Sequence, residues 1–195
     1  HSAAMCWVAC DRLSSIAQAL GLPSEAETWR TRARKLRGEI LERAWNAKRG
    51  AFTAAFGSDE LDASSLLLAE IGLVAPSDPR FISTCEVIER HLSRSGHVMR
   101  YTADDDFGTP ESAFLICRFW LADALAAIGR LGDARDHFVD LLRYRNTFGL
   151  MSEDVDPVTG RLWGNLPQTY SMAGIVITAK RLSKGWEKAW SLASL

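Results

Sequence analysis

Seven segments of the 195-residue chain carry helical patterns, and two kinds of pattern alternate along it. In the first kind apolar side chains occur on nearly every side, and in the second they form one stripe among charged residues. A helix that is apolar all round must be covered on all sides, whereas an amphipathic helix faces water. The alternation therefore predicts an all-α fold with an inner and an outer ring of helices. The apolar segments are 3–20, 63–71, 110–128 and 169–182, and the amphipathic ones are 24–45, 79–92 and 133–145.

Local signals predict where these helices begin and end. Thr109 and Pro110 suit the N-cap and first helical position of the most apolar helix, and Gly129 suits its end. The apolar helices begin about 50 to 60 residues apart, which exceeds the roughly 34 to 47 residues of common helical solenoid repeats. The extra length lies in long loops, where a binding site would be built. We predict an incomplete toroid of helical hairpins with about seven or eight helices.

Two of these loops resemble each other. Asn46 precedes Gly50 by four residues, and Asp156 precedes Gly160 by four, each with short apolar stretches on both sides. Asn or Asp followed by Gly at this distance is a turn signal. We therefore expect both loops to contain a turn between two short extended pieces.

Composition and charge exclude some classes of function. The 23 basic and 24 acidic residues give a formal charge of −1, which offers no electrostatic basis for binding nucleic acid. No apolar run reaches the roughly 18 residues that a membrane-spanning helix needs. The cysteines include no CxxC pair, which favours buried thiols in a reducing cytoplasm over disulfides or zinc ligation. They are Cys6, Cys10, Cys85 and Cys117.

Two loops carry residues that suit carbohydrate chemistry. Residues 145–168 hold three carboxylates, Glu153, Asp154 and Asp156, and a tryptophan, Trp163. Glycosidic hydrolysis needs a carboxylic acid and a carboxylate, and an aromatic ring gives a sugar an apolar surface. On composition alone a solvated acidic turn is the favoured explanation of this loop, because acidic turns are common.

The second loop, residues 97–111, contains Arg100 and Tyr101 ahead of an acidic run, Asp104 to Asp106, and then Glu111. Arg100 suits contact with sugar hydroxyls or a surface ion pair. Glu111 suits either a sugar-facing role or interaction with the dipole of the helix that follows.

Four blocks, read together, resemble glycoside hydrolase family 15, the group of the glucoamylases and bacterial glucoamylase-like enzymes. They are HSAAMCWVACDR at 1–12, ERAWNAKRGAFTAAFGSDELDAS at 42–64, VMRYTADDDFGTPESAFLICRFWLADAL at 98–125 and GLMSEDVDPVTGRLWGNLPQTYSMAGI at 149–175. Their order along the chain is that of the family, which makes the combination far more specific than any single block.

The resemblance implies an (α/α)6 toroid and hydrolysis of α-glucosidic bonds with inversion, without a metal or cofactor. It implies that Glu153 is the general base, that Ser171 hydrogen-bonds and orients it, and that Arg100 contacts glucose. Tyr101, Glu111 and Trp163 are further substrate-binding candidates. An α-linked glucose oligosaccharide or disaccharide is the expected ligand, and maltooligosaccharides, isomalto-linked glucans and trehalose all stay open.

The chain departs from the family pattern in two ways. Ala3 stands where the family usually has Lys, and the family's general acid belongs to a W-E-x-R element that precedes the position of His1. We therefore expect residues 1–195 to be the C-terminal portion of one catalytic domain, without its N-terminal helices and any β-sandwich domain. Because general acid catalysis contributes about 10²- to 10⁴-fold, we expect the chain alone to be inactive.

Other interpretations stay open. A disaccharide phosphorylase shares the toroid, although a carboxylate at Glu153 would repel phosphate. A non-catalytic scaffold that binds protein or carbohydrate is a third possibility. Self-association, or pairing with the missing N-terminal half, is a partner interaction that the open ring allows, whereas nucleic acid and membrane are not expected partners. We expect a cytoplasmic location.

Overall fold

A computed structural model describes residues 1–106 and 108–183. In this part the chain forms six α-helices, two short 3-10 helices and seven strands of two residues each. The chain divides into two compact units, residues 1–87 and residues 88 onward. The boundary falls within α3 (Pro79–Leu92), whose bounds agree with those predicted. The prediction of one domain over 1–195 extends past these residues and stays a prediction.

The first unit begins with a helical hairpin. Helix α1 (Ser2–Ala19) packs against α2 (Pro23–Arg43), and Gly21 turns the chain between them with a φ of 70° that favours glycine. The Ser14 hydroxyl donates to the carbonyl of Ala26 at 2.9 Å and ties the two helices together. Both helices were predicted, to within two residues at each end.

A β-hairpin follows α2 and confirms the first predicted turn. Strands β1 (Trp45–Asn46) and β2 (Ala51–Phe52) pair antiparallel. The Asn46 side-chain oxygen accepts from the Arg49 N–H at 2.9 Å, and Gly50 has a φ of 68°. The asparagine and glycine therefore form the turn as the pattern indicates.

The helix predicted over 63–71 is shorter and of another type. It is a 3-10 helix, Ala63–Leu67, capped by the Asp62 side chain, which accepts from the Ser64 N–H at 2.7 Å. The chain then turns back at Gly72, where φ is 86°, and Leu73 donates its N–H to the carbonyl of Leu68. This turn buries both leucines and stops helical propagation, so the prediction of an α-helix here was wrong.

The second unit contains three further helices, of which α4 is the central one. Helix α4 (Leu115–Ala127) packs against α5 (Leu131–Leu141) and α6 (Thr169–Leu182), and a 3-10 helix, Leu142–Tyr144, follows α5. The short strands are β3 (Ser93–Arg94), β4 (His97–Val98), β5 (Ala113–Phe114), β6 (Asp154–Val155) and β7 (Leu162–Trp163). Strands β3 and β4 form a hairpin, and β5, β6 and β7 form a sheet in that order.

Helix α4 begins later than predicted. The expected N-cap, Thr109, instead donates its hydroxyl to Asp104, and Phe114 is the N-cap of a helix that starts at Leu115. The reason is tertiary, because Ala113 and Phe114 are extended and pair with β6. Its end is as predicted, since Gly129 follows the C-cap with a φ of 90°.

Side-chain burial agrees with the predicted alternation of amphipathic and fully covered helices in α3 and α4, but it disagrees with that prediction in α1 and α6. Helix α4 is buried nearly all round, whereas α1 and α6 expose apolar side chains such as Ile16 and Val176, which are 54% and 65% exposed. The described neighbours of these two helices cover only part of their apolar surface. The same geometry leaves Cys6 exposed, whereas Cys85 and Cys117 are buried as predicted.

Candidate functional site

Glu153 lies just before β6, the central strand of the three-stranded sheet, and its main chain is held on both sides. Its carbonyl accepts from the N–H of Leu115, the first residue of α4, at 3.0 Å. Its N–H donates to the carbonyl of Asn165, just beyond β7, also at 3.0 Å. The buried helix and the β6–β7 hairpin therefore fix the backbone from which this carboxylate projects.

The carboxylate of Glu153 is half-buried and bonded through one oxygen. Oε2 accepts from the main-chain N–H of Asn165 at 3.1 Å and from its side-chain Nδ2 at 2.8 Å. In the described part of the chain, the hydrogen bonds of this carboxylate all involve Oε2. The arrangement leaves Oε1 as the oxygen able to accept a further proton or hydrogen bond.

Asp154 lies one residue later and has a different environment. The Ser112 hydroxyl donates to its Oδ2 at 3.0 Å. Burial raises the pKa of Asp154, the bond from Ser112 opposes that rise, and the nearby charge of Glu153 adds to it.

Asp156 serves the turn of the hairpin. Its side chain accepts from the N–H groups of Val158 and Thr159, at 2.8 and 3.1 Å, and from the Thr159 hydroxyl at 2.7 Å. These bonds, with that hydroxyl foremost, hold the pKa of Asp156 below its usual value. Gly160 completes the turn with a φ of 70°, which confirms the second predicted turn.

Ser171 is fully buried in α6 and contacts the segment that carries Glu153. Its hydroxyl donates to the main-chain carbonyl of Ser152 at 2.7 Å. Gln168 adds a second tie, because its N–H donates to the carbonyl of Met151 at 3.0 Å. The beginning of α6 thus holds the chain just before Glu153, and the Ser171 bond reaches the backbone rather than the carboxylate.

Trp163 is exposed and lies directly opposite Asp154 in the β6–β7 pair. Paired residues of an antiparallel ladder share a face, so the indole lies on the same side of the sheet as Asp154. The Arg161 guanidinium lies over the ring, 5.3 Å from its centroid. The structure thus brings Trp163 into the hairpin that holds the backbone of Glu153.

The second predicted loop is built on contacts of its own. The half-buried Arg100 places its guanidinium 5.4 Å from the ring centroid of Trp120 in α4. The Tyr101 hydroxyl donates to Asp105 at 2.7 Å, and Asp105 exchanges main-chain hydrogen bonds with Gly108 at 3.1 Å. Tyr101 therefore orders the acidic run that follows it.

Glu111 is exposed and lies four residues before the first residue of α4. The interpretation that it interacts with the helix dipole was wrong, because that effect falls off within the first turn. The neighbouring Ser112 is the residue that reaches the sheet, through Asp154.

Sequence reasoning missed three residues that shape this site: Ser112, Gly164 and Asn165. A Gly-Asn pair that directly follows a strand was the available signal, because this pair favours a left-handed backbone and side-chain hydrogen bonds. Its target, twelve residues earlier, could not be read from the pattern.

The described residues contain no cluster of three or more His, Cys, Asp or Glu side chains arranged to hold a metal ion. None of the helices within 1–106 and 108–183 combines the length and apolar character needed to cross a membrane.

Comparison with known proteins gives a consistent result along the chain. Residues 1–180 match the family model described as glycosyl hydrolases family 15. The trehalase of Mycobacterium tuberculosis is 36% identical over 191 residues, which are 96% of this chain and 28% of that protein. The trehalase of Thermoplasma volcanium is 32% identical over 192 residues, 98% of this chain and 31% of that protein. The chain thus spans about a third of the length of these curated relatives.

Solved structures share the fold. A bacterial glucoamylase complexed with acarbose superposes with a TM-score of 0.77 at 16% identity, over 92% of this chain and 33% of that chain. A glycosidase variant in complex with glucose gives a TM-score of 0.76 at 20% identity, over 92% of this chain and 51% of that chain. This likeness confirms the predicted fold class, an all-α chain with part of an (α/α)6 toroid.

Proposed function

Because the chain belongs to glycosyl hydrolase family 15, we propose that the protein hydrolyses α-glucosidic bonds with inversion and that Glu153 is its general base. The observation that carries the proposal is the hydrogen bonding of Glu153, both of its backbone and of its carboxylate. Its backbone is held between α4 and the β6–β7 hairpin, and one of its oxygens is bonded while the other is left to act. A general base needs this combination of fixed position and a free oxygen.

The reaction follows from this geometry. Oε1 of Glu153 takes a proton from a water molecule as the water oxygen bonds to the anomeric carbon. The glycosidic carbon–oxygen bond breaks on the opposite face of the sugar, and a general acid protonates the leaving oxygen. An inverting enzyme needs roughly 6.5 to 9.5 Å between the two carboxyl groups, so that the water fits.

The surroundings of the other two carboxylates support this choice of base. Asp156 is occupied by three donors of its own turn. Asp154 is half-buried, and its Oδ2 already accepts a hydrogen bond from the Ser112 hydroxyl. Glu153 is therefore the member of the acidic loop that suits the role.

We propose trehalose as the substrate. The two relatives described above are named trehalases and align with nearly the whole chain. In trehalose one glycosidic oxygen bridges the anomeric carbons of the two glucose rings. Maltooligosaccharides and isomalto-linked glucans are the competing substrates for the same assay.

The test uses the longest native polypeptide that contains this chain. Glu153→Gln removes the proton acceptor at nearly constant size, and we expect kcat for trehalose to fall by about 10²- to 10⁴-fold. Asp156→Asn is the matched control, because its amide oxygen still accepts from the N–H groups of Val158 and Thr159, and kcat should change little. Equal activity of the Glu153→Gln and unaltered proteins would reject Glu153 as the base.

The stereochemical course is measured on the unaltered protein by proton NMR before the products mutarotate. Inversion of trehalose releases one β-glucose with each α-glucose, whereas retention releases α-glucose only. Turnover that requires inorganic phosphate would instead indicate a phosphorylase, and binding without turnover of any of these sugars would indicate a scaffold.

A further inference from the structure

We infer that Asn165 is the positioning residue of the general base. The inference rests on the proposed role of Glu153 and concerns how its side chain is aimed. Both N–H donors of Asn165 converge on the same carboxylate oxygen, at 3.1 Å from the main chain and 2.8 Å from the side chain. One residue thus holds Oε2 and leaves Oε1 for the water.

The backbone that makes this convergence possible is a β-bulge at Gly164. The ladder pairs Asp154 with Trp163, so a regular continuation would place Glu153 opposite Gly164 alone. The N–H of Glu153 instead donates to the carbonyl of Asn165, which makes Gly164 an extra residue in its strand. Bulges of this kind often contain a glycine with a positive φ, and Gly164 has a φ of 74°.

The bulge has two consequences for Glu153. It turns the N–H of Asn165 toward the carboxylate instead of toward a ladder carbonyl. It also brings the backbone of Gly164 so close that a Cβ there would lie 2.8 Å from both Cβ and Oε2 of Glu153. The glutamate side chain therefore packs over the bulge, and the amide of Asn165 restrains its carboxylate.

The restraint fixes the orientation of the Glu153 carboxylate, which has to be aimed correctly when it takes the proton from the attacking water. A freely rotating glutamate would present either oxygen in many directions, and a misplacement of about 1 Å can cost on the order of 10²-fold in rate. Two donors from one residue fix the carboxylate plane as well as the position of Oε2. Substrate binding does not depend on this, so the role should affect kcat rather than KM.

The experiment is a double-mutant cycle in the longest native polypeptide. Asn165→Ala removes the side-chain donor and keeps the main-chain N–H, and we expect kcat to fall about tenfold with KM within about twofold. In a Glu153→Ala background the same substitution should change the residual kcat by less than about twofold, because the residue acts through Glu153. Residual turnover is followed with α-glucosyl fluoride, whose leaving group departs without protonation.

A second variant and a control complete the design. Asn165→Asp keeps the size of the side chain but sets a like charge beside Oε2, so we expect a larger loss of kcat than with alanine. Asn46→Ala is the control. Asn46 lies in the β1–β2 hairpin, and its Nδ2 also donates to a carboxylate, that of Asp59, at 2.6 Å. We expect its kcat and KM to stay unchanged.

The outcomes separate the two proposals. If Glu153→Ala leaves kcat unchanged, the proposed base is wrong. If Glu153→Ala lowers kcat but Asn165→Ala and Asn165→Asp do not, Glu153 stands and the positioning role of Asn165 is rejected. Equal losses from Asn165→Ala in both backgrounds also reject it, because a general structural defect does not depend on Glu153.

Discussion

Arg181 and Asp123 form an ion pair that joins α6 to α4, with Nη1 and Oδ2 2.8 Å apart and side chains only 9% and 8% exposed. Removal of one partner of a buried pair leaves the other charge without compensation, which typically costs about 3 to 5 kcal/mol. We expect Asp123→Ala to lower the free energy of unfolding by an amount in this range, as measured by urea denaturation.

The matched control is the exposed pair of Arg30 and Glu27, in which Nη1 and Oε2 are 2.7 Å apart. Glu27→Ala should leave the denaturation midpoint nearly unchanged, because water screens exposed pairs. The double variant Asp123→Leu with Arg181→Leu should be more stable than Asp123→Ala. Similar effects of Asp123→Ala and Glu27→Ala would contradict the prediction.

A comparison of alanine variants at two glycines of the β6–β7 hairpin distinguishes the effect of backbone strain from the effect of contact with Glu153. Gly164→Ala adds a Cβ 2.8 Å from Oε2 of Glu153 at a φ of 74°, whereas Gly160→Ala has a similar φ, 70°, and no atom within 4 Å. Both variants should lose about 1 to 2 kcal/mol of stability from the left-handed backbone. Only Gly164→Ala should also lower kcat for trehalose, by at least about tenfold, because it displaces Glu153. Equal kcat values for the two variants would show that the contact does not matter.

Two helical glycines make a similar comparison in the packing of the helices. A Cβ at Gly174 in α6 would lie 2.6 Å from Cδ2 of the buried Phe119, whereas a Cβ at Gly38 in α2 meets nothing within 4 Å. Gly38→Ala should stabilise the protein by about 0.5 to 1 kcal/mol through helix propensity. Gly174→Ala gains the same propensity but overpacks the contact with α4, at a cost of about 1 to 3 kcal/mol. Thermal unfolding should show shifts of opposite sign, and a rise in Tm for both would refute the close approach.

His97 makes stability depend on pH. It is buried beside Tyr144, and its Nε2 lies 2.9 Å from the Tyr144 hydroxyl oxygen. Burial, together with the positive charge of Arg118, lowers the pKa of His97 from 6.5 to about 4, and the negative charge of Asp140 opposes this change to a smaller extent. Between these two values the unfolded chain binds a proton that the folded one does not. The stability contribution of neutral His97 is therefore full above pH 6.5 and is lost as the pH falls toward 4, by about 3 kcal/mol in total.

The measurement is Tm between pH 7.5 and 4.5. His97→Gln should show a shallower fall than the unaltered protein, because glutamine has no proton to gain. His91→Gln, at an exposed position of α3, should keep the full fall. An unchanged pH dependence in His97→Gln would assign the acid sensitivity to other groups.

The site illustrates how far local patterns reach. The loop, its turn at Asp156 and Gly160, and Glu153 as the candidate base all follow from the sequence, the base through its family resemblance. The different hydrogen-bond partners of the three carboxylates do not follow from the sequence. They depend on Ser112, which lies about forty residues from Asp154, and on the Gly164 bulge. Ser171 was expected to bond the base directly, but in this structure its hydroxyl donates to the Ser152 carbonyl, next to Glu153 in the chain.

The sequence by itself determined the helices whose stripes are complete within one segment, such as α3, where Phe81, Cys85 and Ile88 are all buried. Helical periodicity is local, so neighbours along the chain suffice to predict it. Only the tertiary structure decided where α4 begins, because its start depends on the pairing of Ala113 and Phe114 with a strand some forty residues later. It also decided which of two helical glycines is required and which oxygen of Glu153 is free, because both depend on atoms that folding brings together from distant positions.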